Sequence, residues 1–163
     1  MPEVFDFKKL RRLITIYAVV QVFLVGLLVY VAMVFQGGLA AVGRGALFNK
    51  SILITLLVQL FFFYPIYKFA GREAGLAVAA SREGLTPEEL KSQRNKRLIG
   101  DVVKSGAFCF FLAFIMVVSN KSLDLVQSRF VYSIIFFNFI LTYLCYFQSF
   151  NFAARREMKE KTA

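Results

Sequence analysis

Four long runs without a charged residue divide this chain. They cover 13–43, 51–67, 105–120 and 130–154, and shorter charged or polar segments separate them. A helix needs about 20 residues to cross the hydrocarbon core of a bilayer, with a range of about 17–25. The outer two runs meet this length and the middle two lie near or below its lower limit. The pattern predicts an all-α integral membrane protein that folds as a four-transmembrane-helix bundle.

The predicted spans are 13–35, 47–69, 102–120 and 130–153. The first span ends eight residues before its uncharged run does, and every other end coincides with that of its run or differs from it by a few residues. Three spans with one re-entrant segment is the alternative. Hydrophobic residues make up 58% of the 163 residues and charged residues 18%, whereas soluble domains have about 25% charged residues. A soluble fold would have too little polar surface to cover four apolar helices. The whole chain, 1–163, is therefore predicted to be a single membrane domain.

Basic residues are distributed unevenly among the segments that flank the spans. Of the 20 Lys and Arg residues, 16 lie in the N-terminal flank, between the second and third spans, and in the C-terminal tail. The two other loops contain the remaining four: Arg44, Lys50, Lys121 and Arg129. Because cytoplasmic flanks carry an excess of Lys and Arg, both termini and the central segment are predicted to be cytoplasmic. A bacterial cytoplasmic membrane is the predicted location.

The net charge of +10 has an explanation that does not involve nucleic acid. Basic residues beside a membrane attract anionic headgroups, with about 1 kcal/mol for each residue near the surface. We predict that the partners of these residues are anionic lipid headgroups, and we expect no nucleic-acid partner.

The second and fourth spans end in similar sequences, "YKFAGREAG" at 67–75 and "FNFAARREM" at 150–158. The spans before them begin with "RRLITIY" at 11–17 and "KRLIGDV" at 96–102. One hypothesis is an internal duplication of a helical hairpin in parallel topology, an arrangement known from transporter folds. The alternative is chance, because a basic residue followed by Leu-Ile is common wherever a helix enters from the cytoplasm.

A cytoplasmic helical segment is predicted at 71–101, between the second and third spans. Thr86 is a suitable N-cap, Pro87 suits the first helical position, and Glu89 completes a capping box three residues after Thr86. We expect the helix that starts here to continue into the third span. Its charged face contacts either headgroups and solvent or a partner protein. The candidate residues for a headgroup, anion or partner face are Arg72, Arg94, Arg97, Asp101 and Lys104. Lys104 is expected to extend along the helix to the headgroups.

Polar residues inside the spans are candidates for contacts between helices: Gln21, Gln59, Asn138 and Thr142. In the fourth span, polar and small residues recur on one helical stripe at 138, 142, 145 and 149, and the second span has a similar stripe at 51, 55 and 59. Such stripes usually face other helices and form interhelical hydrogen bonds. The alternative is a substrate or ion path lined by Gln21, Gln59 and Asn138.

The sequence contains no motif for catalysis. It has no His and only two Cys residues, and no phosphate-binding loop. We predict no cofactor, metal site or catalytic residue. The leading hypothesis is a non-catalytic subunit, assembly factor or scaffold of a membrane complex, with a homo-oligomer or another membrane protein as partner. A homo-oligomeric channel or small-solute transporter is the alternative, and an enzyme acting at the headgroup level is the third hypothesis.

Overall fold

A computed structural model describes residues 4–119 and 123–162 of the chain. These residues form four α-helices: α1 Lys8–Ala40, α2 Gly45–Ala79, α3 Pro87–Ser119 and α4 Leu125–Thr162. All four are long and apolar enough to cross a membrane, which confirms the prediction of an all-α protein with four candidate membrane helices. Of the predicted domain 1–163, residues 1–3, 120–122 and 163 lie outside the described residues. They include Lys121 and the last residue of the predicted third span.

Helix α3 begins at the predicted capping box. The backbone N–H of Thr86 donates to Oε2 of Glu89 at 2.9 Å, and the N–H of Glu89 donates to Oγ1 of Thr86 at 3.3 Å. The first of these bonds is the main cause of a lowered pKa for Glu89. From this cap α3 runs without interruption into the third predicted span, as the sequence indicated.

The segment before α1 pairs with the α2–α3 connection at one end of the bundle, and the end of α4 packs on that segment. The backbone N–H of Asp6 donates to the carbonyl oxygen of Ser81 at 2.8 Å. The backbone N–H of Glu83 donates to the carbonyl oxygen of Val4, also at 2.8 Å. At the end of α4, Nζ of Lys161 lies 5.8 Å from the ring centroid of Phe5. We call this the basic end of the bundle. At the opposite end, the guanidinium of Arg129 donates to the carbonyl of Gly38.

Helix α4 lies at the centre of the packing. It makes its most extensive contact with α2 and a substantial contact with α1. Near the basic end these three helices share a core that includes Leu10 and Ile14 of α1, Ala70 and Ala74 of α2, and Phe150 and Ala154 of α4. The alanines permit a close approach of the helix backbones, as small residues do in membrane bundles.

Helix α3 packs at the periphery. It contacts α4 and α2 over short stretches, and within the described residues its backbone does not approach that of α1 closely. Only Gly100 and Val118 are buried in its described length. If the hairpin α1–α2 were duplicated as α3–α4, α1 would be equivalent to α3 and α2 to α4. The contact of α1 with α4 would then be equivalent to the contact of α3 with α2. These two contacts differ greatly in extent, and the duplication stays a hypothesis.

Candidate functional site

A polar layer lies between α2 and α4. The α2 side chains Ser51, Thr55 and Gln59 are all buried, and the hydroxyl of Thr142 on α4 donates to Oε1 of Gln59 at 3.4 Å. Asn138, also buried, donates its amide to the carbonyl of Ile134 in its own helix at 2.9 Å. Gln59 and Thr142 both lie half-way along their predicted spans.

Several hydrogen-bond donors and acceptors in this layer have no partner in the part of the chain that the structure describes. Within the described residues, Oγ1 of Thr55, Nε2 of Gln59 and Oδ1 of Asn138 are buried without a partner. An unsatisfied buried polar group costs about 1–3 kcal/mol. The layer therefore joins α2 to α4 through the bond from Thr142 to Gln59 and retains polar atoms that could bind another group.

Gln21 belongs to a separate cluster, between α1 and α4. Its amide donates from Nε2 to Oε1 of Gln148 at 2.8 Å, and its Oε1 accepts a bond from Nδ2 of Asn151 at 3.1 Å. Gln148 follows Thr142 by six residues, which is about 9 Å along a helix. The path proposed from Gln21, Gln59 and Asn138 is thus divided into two polar groups on different faces of α4.

A charged cluster joins α3 to the rest of the bundle. Nζ of Lys104 lies 3.4 Å from Oε2 of Glu73 on α2 and 2.6 Å from Oδ1 of Asp101. The same ammonium lies 5.8 Å from the ring centroid of Tyr146, and the hydroxyl of Tyr143 donates to the backbone carbonyl of Lys104 at 3.1 Å. Both tyrosines belong to α4, so Lys104 links three helices.

Because Gly100 has no side chain, the Glu73 carboxylate can lie directly against its backbone. A Cβ atom built on Gly100 would overlap this carboxylate. Glu73 is only 9% exposed, whereas Lys104 is 25% exposed. A carboxylate removed from water to this degree needs a charged partner, and Lys104 provides one.

The five residues predicted as a headgroup, anion or partner face do not form one surface. Asp101 and Lys104 lie together at Glu73, and the extension of Lys104 to the headgroups stays a prediction. Arg97 lines a cleft beside the N-terminal part of α1, and Arg94 is exposed to solvent. Arg72, also exposed, borders a different cleft near Glu157. Burial and repulsion by Glu160 raise the pKa of Glu157.

An open groove of about 910 Å³ runs between α1 and α4, with α2 at one side. Its walls are mainly apolar and include Ala18, Val22 and Val25 of α1, Phe63 of α2, and Leu144 and Phe152 of α4. A second cleft of about 510 Å³ shares Ala18, Gln21, Gln148 and Phe152 with it and continues to Arg155, Arg156, Lys159 and Glu160. We call the two together the α1–α4 groove.

Sequence patterns did not identify Gln148 and Asn151 as members of these sites. Gln148 and Asn151 are three residues apart, a spacing that places both on one helical face, and this signal could have found them. The described residues contain no group of three or more His, Cys, Asp or Glu side chains that could hold a metal ion. Comparison with known protein families, characterised proteins and solved structures found no match.

Proposed function

We propose that this protein is a non-catalytic component of a membrane complex, as a subunit, an assembly factor or a scaffold. The observation that carries the proposal is the weak packing of α3. A membrane helix gains stability mainly from close packing and hydrogen bonds with other helices. Because α3 has only two buried residues in its described length, a further membrane protein is the natural partner for its outer face.

The outer face of α3 has the side chains that such a contact requires. At about 100° per residue, Gly100, Lys104 and Phe111 point to one side, towards the bundle. On the opposite side are four small, exposed residues: Ser105, Gly106, Cys109 and Ala113. Small residues are enriched where membrane helices approach closely, and this stripe supports a helix–helix contact at the outer face.

We further propose that both termini lie in the cytoplasm, in a bacterial cytoplasmic membrane. The basic end of the bundle includes the N-terminal segment, the α2–α3 connection and the end of α4, which are the three regions that carry the excess of basic residues. In this orientation the start of α3 is presented to cytoplasmic partners or headgroups, and the excess of basic residues lies on the side that the positive-inside rule requires.

A channel or small-solute transporter is the second candidate, and the polar layer between α2 and α4 favours it. Buried polar atoms without partners at mid-membrane depth are found in transport sites. Four helices enclose little space, so several copies of the chain would be needed to form a pore.

Native mass spectrometry of the particle, gently solubilised from its own host, tests the first proposal. We expect a stoichiometric complex with a different membrane protein. The double variant Gly106→Leu/Ala113→Leu should release this partner, whereas the control Gly26→Leu should not, because Gly26 also faces open space but lies on α1. A homo-oligomer without a second protein would contradict the proposal.

Flux assays in proteoliposomes test the second candidate. If the polar layer lines a path, the wild-type protein should transport an ion or small solute, and the variant Gln59→Leu/Asn138→Leu should lose this flux. The absence of wild-type flux for a broad panel of ions and small solutes would contradict it.

A further inference from the structure

The α1–α4 groove changes from apolar to cationic along its length. Its larger part, with Val22, Val25, Phe63 and Leu144, has the character of a binding site for hydrocarbon. Its smaller part reaches the basic end of the bundle at Arg155 and Lys159. The amides of Gln21 and Gln148 lie where the two parts meet.

We propose that this groove is a specific binding site for one phospholipid with an anionic headgroup. The acyl chains occupy the apolar part, the amides at the junction face the glycerol ester region, and the basic residues bind the phosphate. This order of apolar, polar and cationic groups matches the order of groups along an anionic phospholipid. The larger part of the groove alone has a volume within the range of about 300–1,000 Å³ that is usual for ligand sites.

The charges at the cationic part favour an anionic lipid over a zwitterionic one. Nε of Arg156 lies 3.0 Å from Oε1 of Glu160, so this pair is largely neutral. Among the described residues, neither Arg155 nor Lys159 forms an ion pair, and both are exposed at the mouth of the groove. Two unpaired cations therefore remain for a headgroup that carries net negative charge.

Concave shape separates this site from ordinary contact with the surrounding bilayer. The outward side chains of α1, such as Val19 and Phe23, are exposed and belong to neither part of the groove. Lipid at that surface can exchange freely, whereas a lipid in the groove contacts α1, α2 and α4 at the same time. The inference does not depend on the proposed function, because the groove and the outer face of α3 share no residue.

The test is lipid retention by the full-length protein in detergent micelles that contain equal amounts of phosphatidylglycerol and phosphatidylcholine, measured by native mass spectrometry. We expect preferential retention of one phosphatidylglycerol. The variant Arg155→Gln/Lys159→Gln should lower its retention about thirtyfold, because each basic residue near the surface contributes about 1 kcal/mol. The matched variant Lys8→Gln/Arg12→Gln removes the same charge from two exposed residues of α1 that line neither part of the groove, and it should leave retention unchanged.

A second pair of variants tests the apolar part. Ala18→Phe fills the groove at the junction without any change of charge, and it should lower the retention of phosphatidylglycerol. Val19→Phe adds the same side chain to the outward face of α1 and should have no effect. Circular dichroism checks that each variant is folded. Equal retention of the two lipids, equal losses in both charge variants, or undiminished retention in a folded Ala18→Phe variant would overturn the proposal.

Discussion

At the scale of single residues, the ion pair of Glu73 and Lys104 joins α3 to α2. The two residues are 31 positions apart in the chain, and no local pattern relates them. Asp101 and Lys104 also pair within α3, and this contact is local, because the two residues lie one turn apart on the helix. The partner on α2 could not be predicted, since it depends on how two helices are rotated against each other.

Removal of the cation should harm the fold more than removal of the anion. Lys104→Gln leaves Glu73 buried without a cation, whereas Glu73→Gln leaves Lys104 still paired with Asp101. The loss of one partner from a fully buried pair costs about 3–5 kcal/mol, and we expect a smaller cost here because Lys104 is 25% exposed. Reversible unfolding in mild detergent measures both variants. A larger loss for Glu73→Gln would show that Lys104 is not the required partner.

Two glycines of α3 provide a matched pair of substitutions. Gly106 faces open space, and Gly106→Ala should raise the free energy of unfolding by about 0.5–1 kcal/mol through helix propensity. Gly100→Ala places a Cβ against the Glu73 carboxylate, so the carboxylate must move and its pair with Lys104 weakens. We expect Gly100→Ala to be less stable than Gly106→Ala in the same unfolding assay. Equal stabilisation by both substitutions would contradict the packing of Gly100 on Glu73.

At the scale of elements, the start of α3 is the best example of structure that is readable from sequence. The capping box depends on residues three positions apart, so its geometry follows from local chain chemistry. Helix length and the apolar runs were also predictable, because both depend on composition over one segment. The weak packing of α3 could not be predicted from sequence, since it depends on which helices pack against α4.

The capping box predicts a pH-dependent helix start. The pKa of Glu89 is lowered by its bond from Thr86, so its contribution to the helix start is present above the ordinary pKa and is lost as pH falls through the lowered value. Glu89→Ala should abolish this dependence and speed amide hydrogen exchange in the first turn of α3. Glu88→Ala serves as the control, because Glu88 lies in the same turn outside the box. Identical exchange in the two variants would argue against the box.

The amide cluster between α1 and α4 should contribute modestly to stability. Gln21→Leu removes both of its interhelical hydrogen bonds, and such bonds average about 0.6 kcal/mol each in a membrane protein. We expect a loss of about 1 kcal/mol in the free energy of unfolding. Gln36→Leu is the matched control, because Gln36 is exposed on the same helix. An equal effect of the two substitutions would show that the amide cluster does not stabilise the bundle.

At the scale of the whole molecule, α1, α2 and α4 form a compact bundle and α3 stands beside it. The sequence patterns predicted that polar stripes on the second and fourth helices face other helices, and the buried Ser51, Thr55 and Gln59 agree with this. They did not predict that Gln21 lies in a different polar group, because relative depth and rotation of helices are tertiary properties. Membrane orientation stays a prediction from the distribution of Lys and Arg.

The most direct test of the account is site-specific photo-crosslinking from α3 in native membranes. A photoreactive phenylalanine at Met116, which is 66% exposed on the outer face of α3, is compared with one at Phe61, which is 82% exposed on α2. We predict one discrete adduct with a different membrane protein from position 116 and no protein adduct from position 61. Adducts with the same chain, or no protein adduct from position 116, would contradict the proposal that α3 joins this protein to a partner.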